Sequence, residues 1–562
     1  MTVTNHTDAA RPQPPRETWG HTFVTRWGPV LCLALVTWLA YYSYFRQLGL
    51  YEDDYYFIGK PLDYNWAELG TTLREFWGYW PQGRPIGFSL PYLLGFIGSH
   101  TVGLPGVYML AALIVALNAV LAHFVFRRLG LGAAAFIGAL AFTLFPADTT
   151  HGYLMHATGL QPSLTFLLLA TLAYLTEHRV LAYVLITGSL LTYESAFPVF
   201  LAVPLLVRPW RPRLLRTLVL HGAVMAGILL VDIAVRRWML DNRLDQIVSP
   251  AEMLYRIGLS LFIGPWVSGK LWAIAPVRVL RGLNVEMIAA SVLVGGLCAA
   301  WLLRAARRRP DQPPLASLGQ LLLAGAVMWM LAYSLAFTHF PPYNTLGRFT
   351  SVHLAAAFGA SVTIAALAAG VLAIVRRDWL SNVFLAGCTA YFGVLAGYGV
   401  LIQQDFALSW RYQREFWQAV LPLIPDVEPG TVVIVDRSGL PDSRFIISHD
   451  WEANILLGLF YEFPESWDAA DYPQVFVEPP GWQAGVQLVG GRLEWLPARS
   501  VYTSPQPLPD GQTILLEWED GQLVRRTGTL SLQGHSLRLK PEPAAAAATW
   551  PTGELYRLLM EP

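Results

Sequence analysis

Long apolar runs constrain this chain more than any other feature of its sequence. Runs long enough to cross the roughly 30 Å of hydrocarbon in a bilayer recur as far as residue 402. A soluble domain carries roughly 25% charged residues, whereas this chain of 562 residues is 14% charged and 54% hydrophobic. The sequence therefore predicts a polytopic α-helical protein of the plasma (inner) membrane.

The apolar runs predict about eleven transmembrane helices, several of them short. Residues 86–99 and 253–275 are further apolar stretches, which we interpret as re-entrant or interfacial helices. The predicted spans cover residues 28–45, 104–126, 131–145, 157–176, 180–193, 195–207, 215–235, 284–303, 317–337, 350–375 and 379–402.

The short loops that carry arginine predict the orientation, because cytoplasmic loops are rich in Lys and Arg. These arginines fall on one side if the spans alternate, which places the N-terminus in the cytoplasm. The loop 236–283 is basic although this topology puts it outside, and long loops follow the charge rule poorly. The arginines are Arg127, Arg128, Arg179, Arg208, Arg211, Arg213, Arg216, Arg304, Arg307, Arg308, Arg309, Arg376 and Arg377.

The distribution of apolar runs divides the chain into three parts. Residues 1–26 are polar and proline-rich and predict a disordered cytoplasmic tail. Residues 27–402 form the transmembrane domain, with a long first outer loop at 46–103. Residues 403–562 lack apolar spans and predict an extracytoplasmic soluble domain of α/β or β-rich type.

Three local patterns support strands in the soluble domain. Residues 431–435 form a short apolar run rich in β-branched residues, as in a buried strand. Gly490-Gly491 and Asp520-Gly521 each separate two alternating segments, which predicts two hairpin turns. Residues 544–548 are a run of alanine.

Composition also excludes several classes of function. The formal net charge is zero, so no basic face for nucleic acid is indicated. Cys32, Cys298 and Cys388 all lie in apolar runs, which is typical of buried structural thiols. The sequence contains neither a Gly-rich phosphate loop nor a dinucleotide fingerprint.

An acidic cluster follows the first span, at Glu52-Asp53-Asp54-Tyr55. Three consecutive carboxylates beside a membrane surface repel one another and are costly to desolvate, so they indicate a site. Within residues 66–80, apolar residues, several of them tryptophans, recur at helical spacing, which predicts an amphipathic helix that lies in the membrane interface. Gly83-Arg84-Pro85 predicts a sharp turn back toward the membrane.

This arrangement resembles the GT-C membrane glycosyltransferases over roughly residues 27–402. It is most similar to the bacterial branch related to protein mannosyltransferases and lipid A aminoarabinose transferases. The resemblance implies a sugar donor linked to polyprenyl phosphate, an acceptor on the outer face and inversion at the anomeric carbon. It matches no part of the chain after residue 402.

The resemblance also implies that an aspartate of the first outer loop is the catalytic base, either Asp53 or Asp54. We favour Asp54, because Tyr55-Tyr56-Phe57 follows it directly and would form an apolar wall on which the sugar stacks. The alternative is that these carboxylates cap the start of a helix, where they favour the macrodipole.

The second outer loop combines an acid with two histidines, Asp148, His151 and His156. Imidazole and carboxylate suit zinc or manganese, so a divalent metal stays an alternative, although the spacing matches no strong metal signature. By the resemblance, Asp148 would orient the acceptor or the donor phosphate. An ordinary polar loop explains the same residues.

Three further residues point to the same outer face. Glu194 separates two short apolar runs, and Arg348 and Arg84 each offer a planar fork to a phosphate. The alternatives are an ordinary loop acid at a tight helical hairpin for Glu194 and a snorkelling arginine of an interfacial anchor for Arg84. The family resemblance favours Arg348 first and Arg84 second as the phosphate-binding cation. Asp232 and Arg236 instead have the spacing of a structural helix pair.

The leading hypothesis is thus a glycosyltransferase whose partners are a polyprenyl-phosphate sugar, membrane lipid and an unidentified acceptor. The closest enzymatic alternative is a glycan ligase with a polyprenyl-diphosphate-linked donor. A lipid-linked glycan flippase is disfavoured, because the acids cluster at the outer ends of the predicted spans and not at the midplane. A plain scaffold would not need so many spans.

Overall fold

The structure is a computed structural model, and it describes most of the chain. Three sets of residues named in the predictions fall outside the described residues: the first 18 residues of the predicted tail, the alanine run at 544–548, and the orientation arginines Arg211, Arg307, Arg308, Arg309 and Arg376. The described residues are 19–210, 212–239, 249–306, 313–336, 340–375, 377–436, 438, 453–464, 466–468, 471–497, 505–543 and 550–561.

The described chain is mostly helical, at 68% of residues, and a small β-sheet region lies near its C-terminus. This confirms the coarse fold prediction. The α-helices are α1 Trp19–Tyr41, α2 Trp66–Tyr79, α3 Pro85–Val102, α4 Leu104–Arg128, α5 Ala134–Thr143, α6 Gln161–Leu175, α7 Arg179–Thr192, α8 Leu214–Trp238, α9 Pro250–Arg281, α10 Val285–Ala306, α11 Leu315–Leu331, α12 Ala356–Ile374, α13 Asp378–Val420, α14 Ala453–Phe460 and α15 Glu554–Met560.

Seven helices in the described part of the chain are long and apolar enough to cross a membrane. Five shorter apolar helices accompany them and fall on five of the predicted spans. The seven segments are Leu104–Arg128, His156–Leu175, Leu214–Trp238, Pro250–Arg281, Val285–Arg304, Ala356–Ile374 and Asp378–Leu423.

Helix α9 contains the apolar stretch 253–275 and spans 32 residues. Near its start, Arg256 Cζ lies 5.3 Å from the centre of the Phe340 ring. Near its end, Arg278 Nη1 donates to Thr345 O over 3.4 Å. Both ends therefore contact one loop. Helix α9 is long and apolar enough to cross a membrane, so the interfacial interpretation of residues 253–275 stays a prediction.

The predicted span 195–207 differs in conformation from the others. Its main segment, Pro198–Leu206, is a 3₁₀ helix. Pro198 opens the segment, where proline is tolerated, whereas Pro204 lies inside it and cannot donate the N–H that a regular α-helical ladder would use there. The sequence pattern predicted the apolar segment but not this conformation.

Helices α3 and α4 cross closely at two glycines. A Cβ on Gly106 would lie 2.4 Å from Gly98 O, and a Cβ on Gly98 would lie 2.6 Å from Val107 N. No side chain fits between these backbones. The crossing fixes α3, which follows the Gly83-Arg84-Pro85 turn of the first loop.

Replacing Gly106 by leucine is expected to lower the free energy of unfolding by about 1–3 kcal/mol, the usual effect of overpacking. Thermal unfolding of the detergent-purified protein measures the change. Gly222→Leu on α8 is the control, because a Cβ there meets no described atom within 4 Å. Equal melting temperatures for the two variants would contradict the close crossing.

The C-terminal region contains three small sheets. The largest has the order β2-β1-β6-β7, in which β2, β1 and β6 are parallel and β7 is antiparallel. β3-β4-β5 and β8-β9 form the other two. The strands are β1 Val432–Asp436, β2 Gln474–Glu478, β3 Val486–Val489, β4 Arg492–Trp495, β5 Gln506–Pro507, β6 Thr513–Glu519, β7 Gln522–Arg526, β8 Thr529–Leu532 and β9 His535–Arg538.

These strands confirm the local predictions for this region. β1 falls on the apolar run at 431–435, and its Val433, Ile434 and Val435 are fully buried. Gly490-Gly491 joins β3 to β4, and Asp520-Gly521 joins β6 to β7, each in an antiparallel pair.

Helix α13 links the apolar bundle to the C-terminal region. It continues unbroken past residue 402, the predicted domain boundary, and ends at Val420. Its C-terminal part packs against α15, whose start is capped by the first loop: Glu554 N donates to Asp63 Oδ1 over 2.9 Å. The C-terminal region therefore contacts the loop that carries the acidic cluster.

Candidate functional site

Two carboxylates of the acidic cluster share one arginine. Arg348 Nη1 donates to Glu52 Oε2 over 3.0 Å, and Arg348 Nη2 donates to Asp53 Oδ2. Arg348 opens a short 3₁₀ helix and follows Gly347, whose φ of 73° favours glycine. The structure thus joins the first loop to a loop almost 300 residues later in the chain.

Asp54 points away from this arginine and is fully buried. Its Oδ2 accepts hydrogen bonds from Tyr51 N at 3.2 Å and Leu154 N at 3.0 Å. Its Oδ1 accepts from Met155 N at 2.6 Å. Asp54 therefore holds the first loop against the second, and it lies outside the cavity described below.

Burial raises the pKa of Asp54 to about 8, although the three backbone N–H groups act in the opposite direction. The native state then binds this proton more tightly than an unfolded chain, in which an aspartate has a pKa of about 4. The stability that this protonation contributes is fully present below about pH 4 and is lost as pH rises through about 8.

We expect the melting temperature of the wild-type protein to fall between pH 6 and pH 9 for this reason. Asp54→Asn removes the titrating group, so its melting temperature should fall less over the same interval. Differential scanning fluorimetry of both proteins at each pH measures the two slopes. Equal slopes would show that Asp54 does not titrate in this range.

Aromatic residues behind the cluster fix the loop against α13. Tyr55 Oη donates to Gln413 Oε1 over 2.6 Å, and Tyr51 Oη donates to Phe406 O over 2.8 Å. Tyr55 is buried and does not line the cavity, so it does not form the predicted sugar wall. Phe57, two residues later, lines the cavity instead.

A second ion pair faces the same cavity. Arg84 Nε donates to Glu194 Oε2 over 2.6 Å, and Arg84 Nη2 donates to Glu194 Oε1. The guanidinium also lies 4.6 Å from the centre of the Tyr193 ring. Arg84 is held at the start of α3, after the turn at Gly83, and Glu194 follows α7.

Both ion pairs line one cavity of about 290 Å³. This volume is close to the lower end of the range for small-molecule sites, roughly 300–1,000 Å³. Carboxylates and guanidiniums in one cavity allow proton transfer and the recognition of an anion. The polar lining residues are Asp53, Gln82, Arg84, His156, Tyr193, Glu194, Ser195, Arg348 and Ser351.

Asp148 and His151 do not reach this cavity. Asp148 Oδ1 accepts from Thr150 N at 2.9 Å and from Thr150 Oγ1 at 2.6 Å. The His151 ring stacks on Tyr41, with ring centres 3.9 Å apart. Both side chains are buried and line smaller cavities than this one. The second loop nevertheless contacts the loop of Arg348, because Thr149 N donates to Thr350 Oγ1 over 3.0 Å, so Asp148 lies near that loop but does not share the cavity of Asp53 and Arg348.

His156 is the one member of the second-loop group that lines the cavity. It opens a single π-helical turn, His156–Leu160, that leads into α6. Among the described residues, no group of three or more His, Cys, Asp or Glu side chains is arranged to hold a metal ion.

Sequence reasoning included Phe57 in the predicted apolar wall but missed other lining residues, notably Gln82 and Ser351. Neither of these two stands out in the sequence, because each becomes a cavity residue only through contacts between distant loops. Tyr193 and Ser195 flank the predicted Glu194, and this adjacency was the available signal. The pair Asp232–Arg236, at 3.8 Å, confirms the structural interpretation of those two residues.

Comparison with known proteins gives no match: no protein-family model matches the chain, and no curated protein sequence matches it.

Proposed function

We propose that this chain is an integral-membrane glycosyltransferase of GT-C type. It transfers a sugar from a polyprenyl-phosphate donor to a hydroxyl or amine of a lipid, glycan or protein acceptor on the outer face of the membrane. The observation that carries the proposal is the cavity in which the Asp53 carboxylate lies beside Arg348 and shares the lining with Arg84 and Glu194. The seven long apolar helices support a membrane location.

Asp53 is the better candidate for the base. It lines the cavity, and its side chain is 20% exposed, so an acceptor group can reach it. Asp54, the residue preferred from the sequence, uses both carboxylate oxygens to hold backbone N–H groups and is fully buried. A base must come within hydrogen-bond distance of the proton that it removes.

In the proposed step, the acceptor hydroxyl or amine attacks the anomeric carbon of the donor sugar. Its proton passes to the Asp53 carboxylate as the new bond forms. The bond between the anomeric carbon and the phosphate oxygen breaks, and its electron pair leaves with the polyprenyl phosphate. Attack opposite the leaving group inverts the anomeric centre.

Arg348 is suited to hold the phosphate next to the base. A guanidinium carries five N–H donors in a planar fork, so it can contact a phosphate oxygen and a carboxylate together. The bonds to Glu52 and Asp53 orient that fork toward the cavity. Negative charge that develops on the leaving phosphate would be stabilised by the same group.

The charges of the cavity favour a monophosphate donor over a diphosphate. Two guanidiniums and two carboxylates line it, from Arg84, Arg348, Asp53 and Glu194, so their formal charges cancel. Behind them, Glu52 bonds to Arg348 and Arg236 acts on Glu194, which adds one charge of each sign. A phosphodiester adds one negative charge, whereas a diphosphate-linked donor adds two. Each additional uncompensated charge in a partly desolvated site is unfavourable.

A transfer assay in membranes tests the proposal. Membranes that contain the overproduced protein are incubated with decaprenyl-phosphate donors that carry labelled glucose, mannose or arabinofuranose. The matching decaprenyl-diphosphate donors form a second set. Label is then measured in the lipid, glycan and protein fractions, with membranes that lack the protein as the background.

Transfer above background from a monophosphate donor is the expected result. Transfer from the diphosphate set alone would replace the proposal with the ligase alternative. Label that reaches no fraction from any donor would contradict glycosyl transfer from these lipids.

A further inference from the structure

The C-terminal helix α15 packs against the loop that carries the proposed base. Asp63 of the first outer loop lies at the start of this helix, where its Oδ1 accepts from Glu554 N over 2.9 Å. A Cβ on Gly553 would lie 2.6 Å from Asp63 Oδ2. No side chain fits at position 553, so the glycine permits this close approach of helix and loop.

A second contact joins α15 to an earlier part of the same loop. Leu555 is fully buried, and a Cβ on Gly59 would lie 3.3 Å from Leu555 Cδ2. Gly59 ends the π-helical turn Tyr55–Gly59, which begins directly after Asp54. The leucine side chain therefore packs on the short turn that follows the acidic cluster.

Helix α15 is itself fixed to α13. Arg414 Nε and Gln418 Nε2 of α13 donate to Leu559 O over 3.2 Å and 3.1 Å. Carbonyl groups at the end of a helix have no partner within it, so these two donors hold the end of α15 in place. The same part of α13 also receives the loop, because Tyr55 Oη donates to Gln413 Oε1.

The acidic cluster has a backbone that needs such support. Glu52 has a φ of 50°, in the left-handed region that a residue with a side chain adopts at a cost. From this turn, Glu52 and Asp53 reach Arg348, whereas Asp54 reaches the backbone of the second outer loop. A strained turn persists only where the surrounding contacts determine it. Asp54 supplies such contacts on one side of the loop, and α15 supplies them to the turn that follows.

We propose that α15 is a positioning element of the active site, which acts through Leu555 and Asp63 and holds the first outer loop where Asp53 lies beside Arg348. The inference rests on the proposed function and extends it, because it gives the C-terminal region a role in the chemical step. No residue of α15 lines the cavity, so the helix acts only through the loop.

A small displacement of the loop is enough to affect the reaction. A general base must lie within hydrogen-bond distance of the proton that it removes, and a misplacement of about 1 Å can lower a rate about 100-fold. Removal of the Leu555 side chain leaves a space beside Gly59, into which the turn can relax. Arg84 and Arg348 lie on other segments of the chain, so the affinity for the donor should change less than kcat.

Hydrogen exchange and initial rates of the full-length chain test the inference. Exchange of the backbone amides of residues 50–63 is measured by mass spectrometry, and sugar transfer is measured with labelled decaprenyl-phosphate donors. Leu555→Ala is compared with Leu537→Ala, a matched control. Leu537 is a buried leucine of β9 in a separate hydrophobic cluster, which includes no described residue of the first loop.

Leu555→Ala is expected to speed exchange of the loop amides by at least about tenfold, because the loss of a buried side chain loosens its surroundings. It should lower kcat about tenfold to 100-fold and change the KM for the donor by less than about threefold. Leu537→Ala should lower the melting temperature by a similar amount but leave loop exchange, kcat and KM at the wild-type values.

Two variants of Asp63 give an independent readout without a buried cavity, because Asp63 is exposed. Asp63→Ala removes the acceptor for Glu554 N, so loop exchange should rise about fivefold, as for a lost helix cap, and kcat should fall. Asp63→Asn keeps an oxygen that can accept this bond, so it should restore both quantities to near the wild-type values.

Faster loop exchange together with a lower kcat in Leu555→Ala, both absent from Leu537→Ala, would support the positioning role. Unchanged exchange in Leu555→Ala would overturn it, as would faster exchange with an unchanged kcat or equal losses in the two leucine variants. If the wild-type protein transfers no sugar from any donor, the proposed function fails, whereas the exchange rates still decide whether α15 holds the loop.

Discussion

Asp53→Asn is expected to lower the rate of sugar transfer by about 100-fold to 10,000-fold, the range that a positioned general base contributes. Asparagine keeps the size of the side chain and can still contact Arg348, but it cannot take up the acceptor proton. The loss should therefore appear in kcat, with little change in the affinity for the lipid donor. Initial rates in membranes with a labelled decaprenyl-phosphate sugar measure it.

Glu75→Gln is the control for this prediction. Glu75 is an exposed carboxylate on α2 and does not line the cavity, so its amide should transfer sugar at the wild-type rate. Expression and melting temperature of both variants are compared first, so that a folding defect is recognised. An Asp53→Asn protein that folds normally and retains full kcat would remove Asp53 from the mechanism.

Local sequence signals predicted much of the fold. The apolar runs lie on helices, and the amphipathic segment at 66–80 forms α2, which begins with a capping box between Asn65 and Glu68. The two hairpins of the C-terminal region follow from their Gly-containing turns. Such features depend on residues a few positions apart, and the sequence displays those directly.

The division of roles within Glu52-Asp53-Asp54 could not be predicted in this way. Which carboxylate turns inward depends on Leu154 and Met155, whose N–H groups lie 100 residues further along the chain. The first-loop turn then leaves Asp53 beside Arg348. Adjacent acids look alike in a sequence, and only the tertiary contacts distinguish them.

The same limit explains the second outer loop. Asp148 looked like a site residue because an acid between two apolar spans is unusual, yet Thr150 and Gln161 lie within hydrogen-bond distance of it in the core. Arg84 and Glu194 were each predicted separately, and their pairing across 110 residues emerged only from the fold. Sequence reasoning thus found the residue types of the cavity more readily than their partners.

Asp54→Ala is expected to lower the free energy of unfolding by about 3 kcal/mol or more. Alanine removes both acceptor oxygens, which leaves the N–H groups of Tyr51, Leu154 and Met155 unpaired in a fully buried position. Each buried donor without a partner costs roughly 1–3 kcal/mol, and the removal of a buried carboxyl group offsets part of that sum. Thermal unfolding of the detergent-purified protein measures the loss, together with the yield of folded protein.

Glu75→Ala separates this effect from a general sensitivity to the loss of a carboxylate, because Glu75 is exposed and should change stability by less than about 0.5 kcal/mol. Asp54→Asn should fall between wild type and Asp54→Ala, since its one remaining oxygen can still accept from Met155 N. A stable Asp54→Ala protein that no longer transfers sugar would reverse the assignment and make Asp54 the catalytic group. If Asp54→Ala is unstable while Asp53→Asn is stable but inactive, then Asp54 has the structural role and its neighbour Asp53 has the catalytic role.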